Sequence, residues 1–267
     1  MPFEMKFKIL LRKYSKRWWR STLKVIFSVF RVRSIDLLTS KIFPACEHIK
    51  VLEFIDNDFS FFVDIGANRG QFLLIANLIR PGKSFYVFEP LPNEVNKSLK
   101  YLERLSVPFK YFNFGLGNVG SRLLKFNTSA KSDCSSFLKP SQSALEKSSG
   151  KLLKTIEVTE VTIKDLDLVL PGNEGIDPKS YGFMKIDTQG TELDVIMGGK
   201  NFIRKNIKYI YVEVSEILHY TDQATASEVH EFLEALNFKH IRLFNVYKSP
   251  DGVLAYADSL YKNENLN

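Results

Sequence analysis

Short apolar runs that end on a polar or acidic residue recur along the chain, and between them apolar positions return every three or four residues. The runs at about 61–65, 84–89, 109–114, 181–186 and 209–214 read as strands. They are too short for helices, and their continuous apolar character suits burial on both faces. A helix is predicted from Gly70 to about Arg80, where Pro81-Gly82 stops it. A second opens at Pro92, with Val95, Leu99 and Leu102 on one face. A third starts near Gly190 and buries Leu193, Ile196 and Met197. Thr225 and Glu228 have the spacing of a capping box ahead of Val229, Phe232, Leu233 and Leu236. Residues 122–127 and 155–163 alternate as strands do. The runs 240–245 and 253–257 flank Ser249-Pro250-Asp251-Gly252, a hairpin turn. Residues 35–58 read as one or two short helices.

Alternation of strand and helix predicts an α/β fold. The sheet is doubly wound and Rossmann-like, mostly parallel, with an antiparallel strand from the C-terminal hairpin. Ligands of such sheets lie beyond the carboxyl ends of the strands at the switch point. Asp64, Glu89, Asn113 and Asp187 all fall at those ends. The stretch from about 127 to 150 holds eight serines and no strong period, which predicts a loop. Its length inside a compact domain suggests a lid.

Charge divides the chain. Residues 1–33 carry ten Lys or Arg and one acid, so of 37 basic and 30 acidic residues overall, 27 and 29 remain for the rest. The body is near neutral and the net charge of +7 sits in a basic head. On a helix, Phe7, Leu11, Tyr14, Trp18 and Val25 form one stripe, opposite Lys13, Lys16, Arg17, Arg20 and Lys24. This predicts two parts, a basic amphipathic helix over 1–34 and a domain over 35–267. The helix suits either an anionic membrane surface or packing against the domain, and nucleic acid is disfavoured. No run is long enough to span a bilayer and no signal peptide is expected, so a cytoplasmic protein is predicted, held where the helix binds lipid at the inner membrane face. Cys46 and Cys134 form neither a disulfide framework nor a zinc cluster.

The candidate chemistry lies in Phe62-Val63-Asp64-Ile65-Gly66-Ala67-Asn68-Arg69-Gly70 and in Val87-Phe88-Glu89-Pro90. Strand, glycine turn, helix and a second acid-tipped strand are the parts of a nucleotide-cofactor site. Nicotinamide enzymes share them but usually show three glycines around a pyrophosphate; here Ala67 and Asn68 stand where further glycines would. Asp64 would repel a pyrophosphate and attract an ammonium group. S-adenosylmethionine has an ammonium, a sulfonium and no phosphate, and Glu89 can accept both hydroxyls of its ribose.

With Lys185-Ile186-Asp187-Thr188-Gln189-Gly190-Thr191-Glu192 added, the chain resembles the FkbM-type family of S-adenosylmethionine-dependent methyltransferases over about 60–260. Val212-Glu213-Val214 and Ser135-Ser136-Phe137-Leu138 extend the likeness. Thr188-Gln189 departs from it, for the family more often has an apolar residue and Glu there. The resemblance implies the methyltransferase form of the sheet and O-methylation of a sugar in a glycan, glycolipid or natural product. It implies a cofactor site of Asp64, Gly66, Ala67, Asn68, Gly70, Glu89 and Pro90, with Asn113 and Gly115 near the adenine. Asp187 is then the candidate general base, or else it orients the cofactor amine; His219 is a second candidate base. Glu192 is expected to cap its helix or to pair with Lys185, and no metal site is predicted. Competing readings are a nicotinamide-dependent oxidoreductase and a non-catalytic membrane-associated binding module.

Overall fold

A computed structural model describes residues 44–146, 150–171, 176, 177 and 179–266; the basic segment 1–34 lies outside them. The chain enters through α1 (Ile49–Phe54) and then alternates β1 (Phe61–Ile65), α2 (Gln71–Ile79), β2 (Ser84–Phe88), α3 (Pro92–Arg104) and β3 (Phe109–Phe112). β4 (Gly115–Gly117) and β5 (Ser121–Ser129) follow, then the short helices α4 (Gln142–Glu146) and α5 (Gly150–Leu153). β6 (Thr155–Asp165), α6 (Leu166–Val169), β7 (Gly182–Ile186), α7 (Glu192–Gly198), α8 (Lys200–Asn206) and β8 (Ile207–Val214) come next. The chain closes with α9 (Ala226–Ala235), β9 (Phe238–Lys248) and β10 (Leu254–Asn263).

The main sheet has the order β3-β2-β1-β7-β8-β10-β9. β1 lies inside the sheet between β2 and β7, and all five of its residues are buried. Its register brings the functional ends level, since Ile65 lies opposite both Phe88 of β2 and Ile186 of β7. The residues that follow, Gly66, Glu89 and Asp187, therefore emerge side by side. One face of the sheet packs Met184, Ile186, Ile196 and Leu233, and the other packs Phe62, Phe72, Phe85 and Phe183.

Two features differ from the sequence reading. The strands at 122–127 and 155–163 do not join the main sheet but form a separate one, β4-β6-β5, with β5 antiparallel to β6. The helix near 190 is two helices separated at Gly199. The hairpin is also longer than its apolar core suggests. β10 runs to Asn263 and lies between β8 and β9, antiparallel to both. The polar residues that hide this length are buried and bonded; Asn263 Nδ2 donates to the carbonyls of Arg204 and Ile207. The capping box forms as read, with Thr225 and Glu228 bonding each other's backbone N–H groups.

Candidate active site

Above the carboxyl ends of β1 and β2 lies a crevice of about 640 Å³. Of the residues read from sequence, Gly66, Asn68, Glu89, Pro90, Gly115 and Asp187 line it. Glu89 is held by two backbone groups, Asn68 N–H to Oε2 at 2.7 Å and Leu91 N–H to Oε1 at 2.8 Å. The 127–150 stretch is not the plain loop expected. It begins as the end of β5, contains a 3-10 turn and α4, and supplies Ser132, Asp133, Ser135 and Phe137 to the crevice wall.

Four expected cofactor residues are not on that wall. Asp64 is fully buried and forms an ion pair with Lys185 at 3.5 Å, so its carboxylate faces the sheet interior and not the crevice. Its expected grip on a cofactor ammonium is corrected accordingly: Asp64 lies inside β1, beside Lys185 of β7, where the packed sheet encloses its side chain. Ala67 is packed among Phe62, Phe72 and Val95. Asn113 lies beyond the wall and accepts from the Tyr111 hydroxyl at 3.3 Å. The glycines serve the chain's own packing. A Cβ on Gly66 (φ +72°) would lie 1.9 Å from the Asp187 carbonyl oxygen, and one on Gly70 (φ +69°) would lie 2.5 Å from Ser98 Cβ.

A second, open cavity of about 2040 Å³ adjoins the ends of β7, β8 and β10. Asp133, Asp187 and Gln189 line both hollows. At this junction Lys185 Nζ lies 3.2 Å from Asp187 Oδ2, and Gln189 Nε2 donates to Asp187 Oδ1 at 2.8 Å and to Glu213 Oε2 at 3.1 Å. The Tyr220 hydroxyl lies 3.1 Å from Gln189 Oε1. Burial alone would raise the Asp187 pKa, but the Lys185 ammonium and hydrogen bonds from Gln189 and Glu213 outweigh it and hold Asp187 below the usual carboxylate range. Burial, then the charges of Asp187 and Asp258, push Glu213 well above that range. The two neighbouring carboxyl groups are thus pushed in opposite directions.

Glu192 neither caps α7 nor pairs with Lys185, contrary to expectation. Its buried carboxylate accepts from the backbone N–H groups of Thr188 and Gly190 and fixes the loop that carries Gln189. That loop includes Gln189 itself at φ +59°. His219 lines the open cavity but not the crevice, and its Nε2 lies 3.2 Å from the Ala255 carbonyl oxygen. Among the described residues no group of three or more His, Cys, Asp or Glu is arranged to hold a metal ion.

The model of the methyltransferase FkbM domain matches residues 64–240. The chain belongs to the FkbM methyltransferase family. No curated protein sequence matches it. Solved structures with a similar fold include TrmK from M. capricolum with bound S-adenosylhomocysteine, 10% identical, with 81% of this chain and 68% of that chain covered and a TM-score of 0.43. Another is precorrin-6y C5,15-methyltransferase from Geobacter metallireducens, 14% identical, at 83% and 88% coverage and a TM-score of 0.40. A third is the Burkholderia thailandensis 1,6-didemethyltoxoflavin-N1-methyltransferase with S-adenosylhomocysteine, 11% identical, at 94% and 91% coverage and a TM-score of 0.42.

The cofactor of this FkbM domain is S-adenosylmethionine, and the crevice has the chemistry to hold it. Three carboxylates line it, Glu89, Asp133 and Asp187, and no Lys, Arg or His stands among its described lining residues. Such a wall repels a pyrophosphate and attracts a cationic, phosphate-free ligand. Phe114, Leu116, Phe126 and Phe137 add apolar surface to the same wall. Asp133 and Asp187 line the crevice, and Asp64 does not. Sequence reading missed Asp133 because only tertiary folding brings the Ser-rich stretch over β1. It missed the Gln189 bridge because Gln carries no charge to mark it.

Proposed function

We propose that this FkbM domain methylates a sugar hydroxyl of a glycan, glycolipid or natural product, with Asp187 as general base. The observation that carries the reading is that Asp187 lines both the crevice and the open cavity, where a bound donor and an acceptor would meet. S-adenosylmethionine supplies, when bound, an electrophilic methyl group on a sulfonium. Asp187 stays ionised at neutral pH and can take the proton of the acceptor hydroxyl as that oxygen becomes methylated. Lys185 and Gln189 hold the carboxylate in place, and each carboxylate oxygen keeps a lone pair free of them.

Asp187→Asn keeps the shape of the side chain and removes its basicity. At saturating donor, transfer of labelled methyl into a glycan extract is expected to fall roughly 100-fold or more. Undiminished transfer by the variant would exclude Asp187 as base. Recovery of the label in nucleic acid or protein, and not on sugar hydroxyls after hydrolysis, would overturn the acceptor class.

No helix among the described residues is long and apolar enough to cross a membrane. The first described residues bring Glu47, His48 and Lys50 to the wall of the open cavity. The basic segment that precedes them is proposed to hold the domain at an anionic cytoplasmic membrane surface, next to a lipid-linked acceptor. Deletion of residues 1–34 should then abolish liposome association and spare donor binding; loss of donor binding would point to a segment packed on the domain.

A further inference from the structure

Tyr247 of β9 and Tyr256 of β10 face each other across the hairpin, with ring centroids 5.2 Å apart and planes inclined by 18°. They are 57% and 43% exposed. Both line the open cavity that reaches Asp187, and so do Asn245 and Asp258. Asn245 Nδ2 donates to Asp258 Oδ2 at 2.7 Å, and Asp258 also accepts from the Tyr211 hydroxyl at 2.8 Å. The rings stack on each other, so the hairpin offers the outer face of an aromatic pair at its exposed end, with an amide and a carboxyl group held beside it on the cavity wall.

We infer that Tyr247 and Tyr256 form a binding platform for a second, neutral sugar ring of the acceptor, outside the position of the methylated one. The inference rests on the proposed sugar acceptor and extends it to an oligosaccharide. Two arguments from the cavity select this occupant. The C–H-rich face of a pyranose carries partial positive charge and lies well against the negative face of an aromatic ring, while the ring's hydroxyls seek planar acceptors such as carboxylates and amides. The cavity wall carries Glu47, Asp133 and Asp187, besides the more deeply buried acids Glu192, Glu213 and Asp258, against two lysines, one of which, Lys131, is already paired with Asp133 at 2.6 Å. That balance opposes a phosphate backbone, which needs cations to neutralise it. A purely structural role for the pair would be a weak cross-strand contact, which exposed rings on an edge hairpin can supply without any ligand.

The two roles separate in kinetics. The full chain would be assayed with labelled S-adenosylmethionine on a panel of neutral oligosaccharides, the matching methyl monoglycosides, an oligoribonucleotide and spermine. The parent is expected to prefer an oligosaccharide to its monoglycoside through a lower KM. Tyr247→Ala and Tyr256→Ala should each raise the oligosaccharide KM by about 3- to 10-fold, with kcat, donor affinity and monoglycoside KM little changed. The double Tyr→Phe variant keeps both rings and should keep the preference. An unchanged oligosaccharide KM in both alanine variants would overturn the platform and leave sugar methylation standing. Methylation of the ribonucleotide or of spermine, with no glycan methylated, would overturn the sugar reading and the platform together.

Discussion

Lys185 Nζ lies 3.2 Å from Asp187 Oδ2, two residues along the same chain, where β7 runs out into the site. The same ammonium lies 3.5 Å from Asp64 Oδ1 in the neighbouring strand. One buried cation thus serves a carboxylate that is fully enclosed and another that is about a third exposed. The link runs from strand register to chemistry. Asp64 is opposite Lys185 in the β1–β7 pairing, and that pairing fixes the charge that keeps Asp187 ionised.

Removal of the cation should be felt first as instability. Lys185→Met leaves Asp64 buried without its counter-ion, at a cost of about 3–5 kcal/mol in urea denaturation. Adding Asp64→Asn should restore at least about 1 kcal/mol, because the uncompensated charge is then gone. A double variant no more stable than Lys185→Met alone would deny the coupling.

Glu89 should govern affinity for the donor and leave the fold intact. Glu89→Ala removes the acceptor for ribose hydroxyls, and calorimetric titration with S-adenosylmethionine is expected to show binding weakened by roughly 10- to 100-fold. Equal affinity in parent and variant would remove the ribose from this place in the crevice. Some loss of loop order around Asn68 and Leu91 is expected too, since both N–H groups lose their partner.

Gly66 tolerates no side chain. The Cβ of Gly66→Ala would overlap the Asp187 carbonyl oxygen, and the left-handed backbone there adds its own strain. Loss of more than about 3 kcal/mol, or of soluble protein altogether, is expected. A variant of parental stability that binds the donor would show that β1 and β7 can separate at this end.

His48 gives the acid side of the stability profile a sign. Burial first, and then the Lys185 charge, lower its pKa from 6.5 to about 4. The folded pKa is depressed, so the neutral ring's contribution is complete above about 6.5 and is lost as pH falls toward 4, up to about 3 kcal/mol. Melting temperature should drop across that window in the parent. His48→Asn, which does not titrate there, should show a shallower decline. Parallel profiles would mean that His48 is protonated without cost in the folded protein.

Much of this architecture is legible in short stretches of sequence. The apolar runs before Asp64, Glu89 and Asp187 mark buried parallel strands, and Pro92, Pro81-Gly82 and the Thr225–Glu228 pair mark helix limits. These signals are local: each depends on burial periodicity or on a backbone group satisfied within a few residues. The glycines of the first turn are equally visible, but their reason is not. Gly66 and Gly70 stand where they do because Asp187 and Ser98 come from elsewhere to within contact distance.

Sequence by itself determined the family, the strand ends and the acids that tip them, because those follow from pattern at short range. Tertiary structure decided which carboxylates face the ligand. Asp64 lies inside β1 and is enclosed beside Lys185, while Glu89 and Asp187 stand just past the ends of β2 and β7 and reach the crevice. It also decided that Asp133 would join them and that Gln189 would bridge Asp187 to Glu213, since both depend on segments far apart in the chain meeting over one end of the sheet.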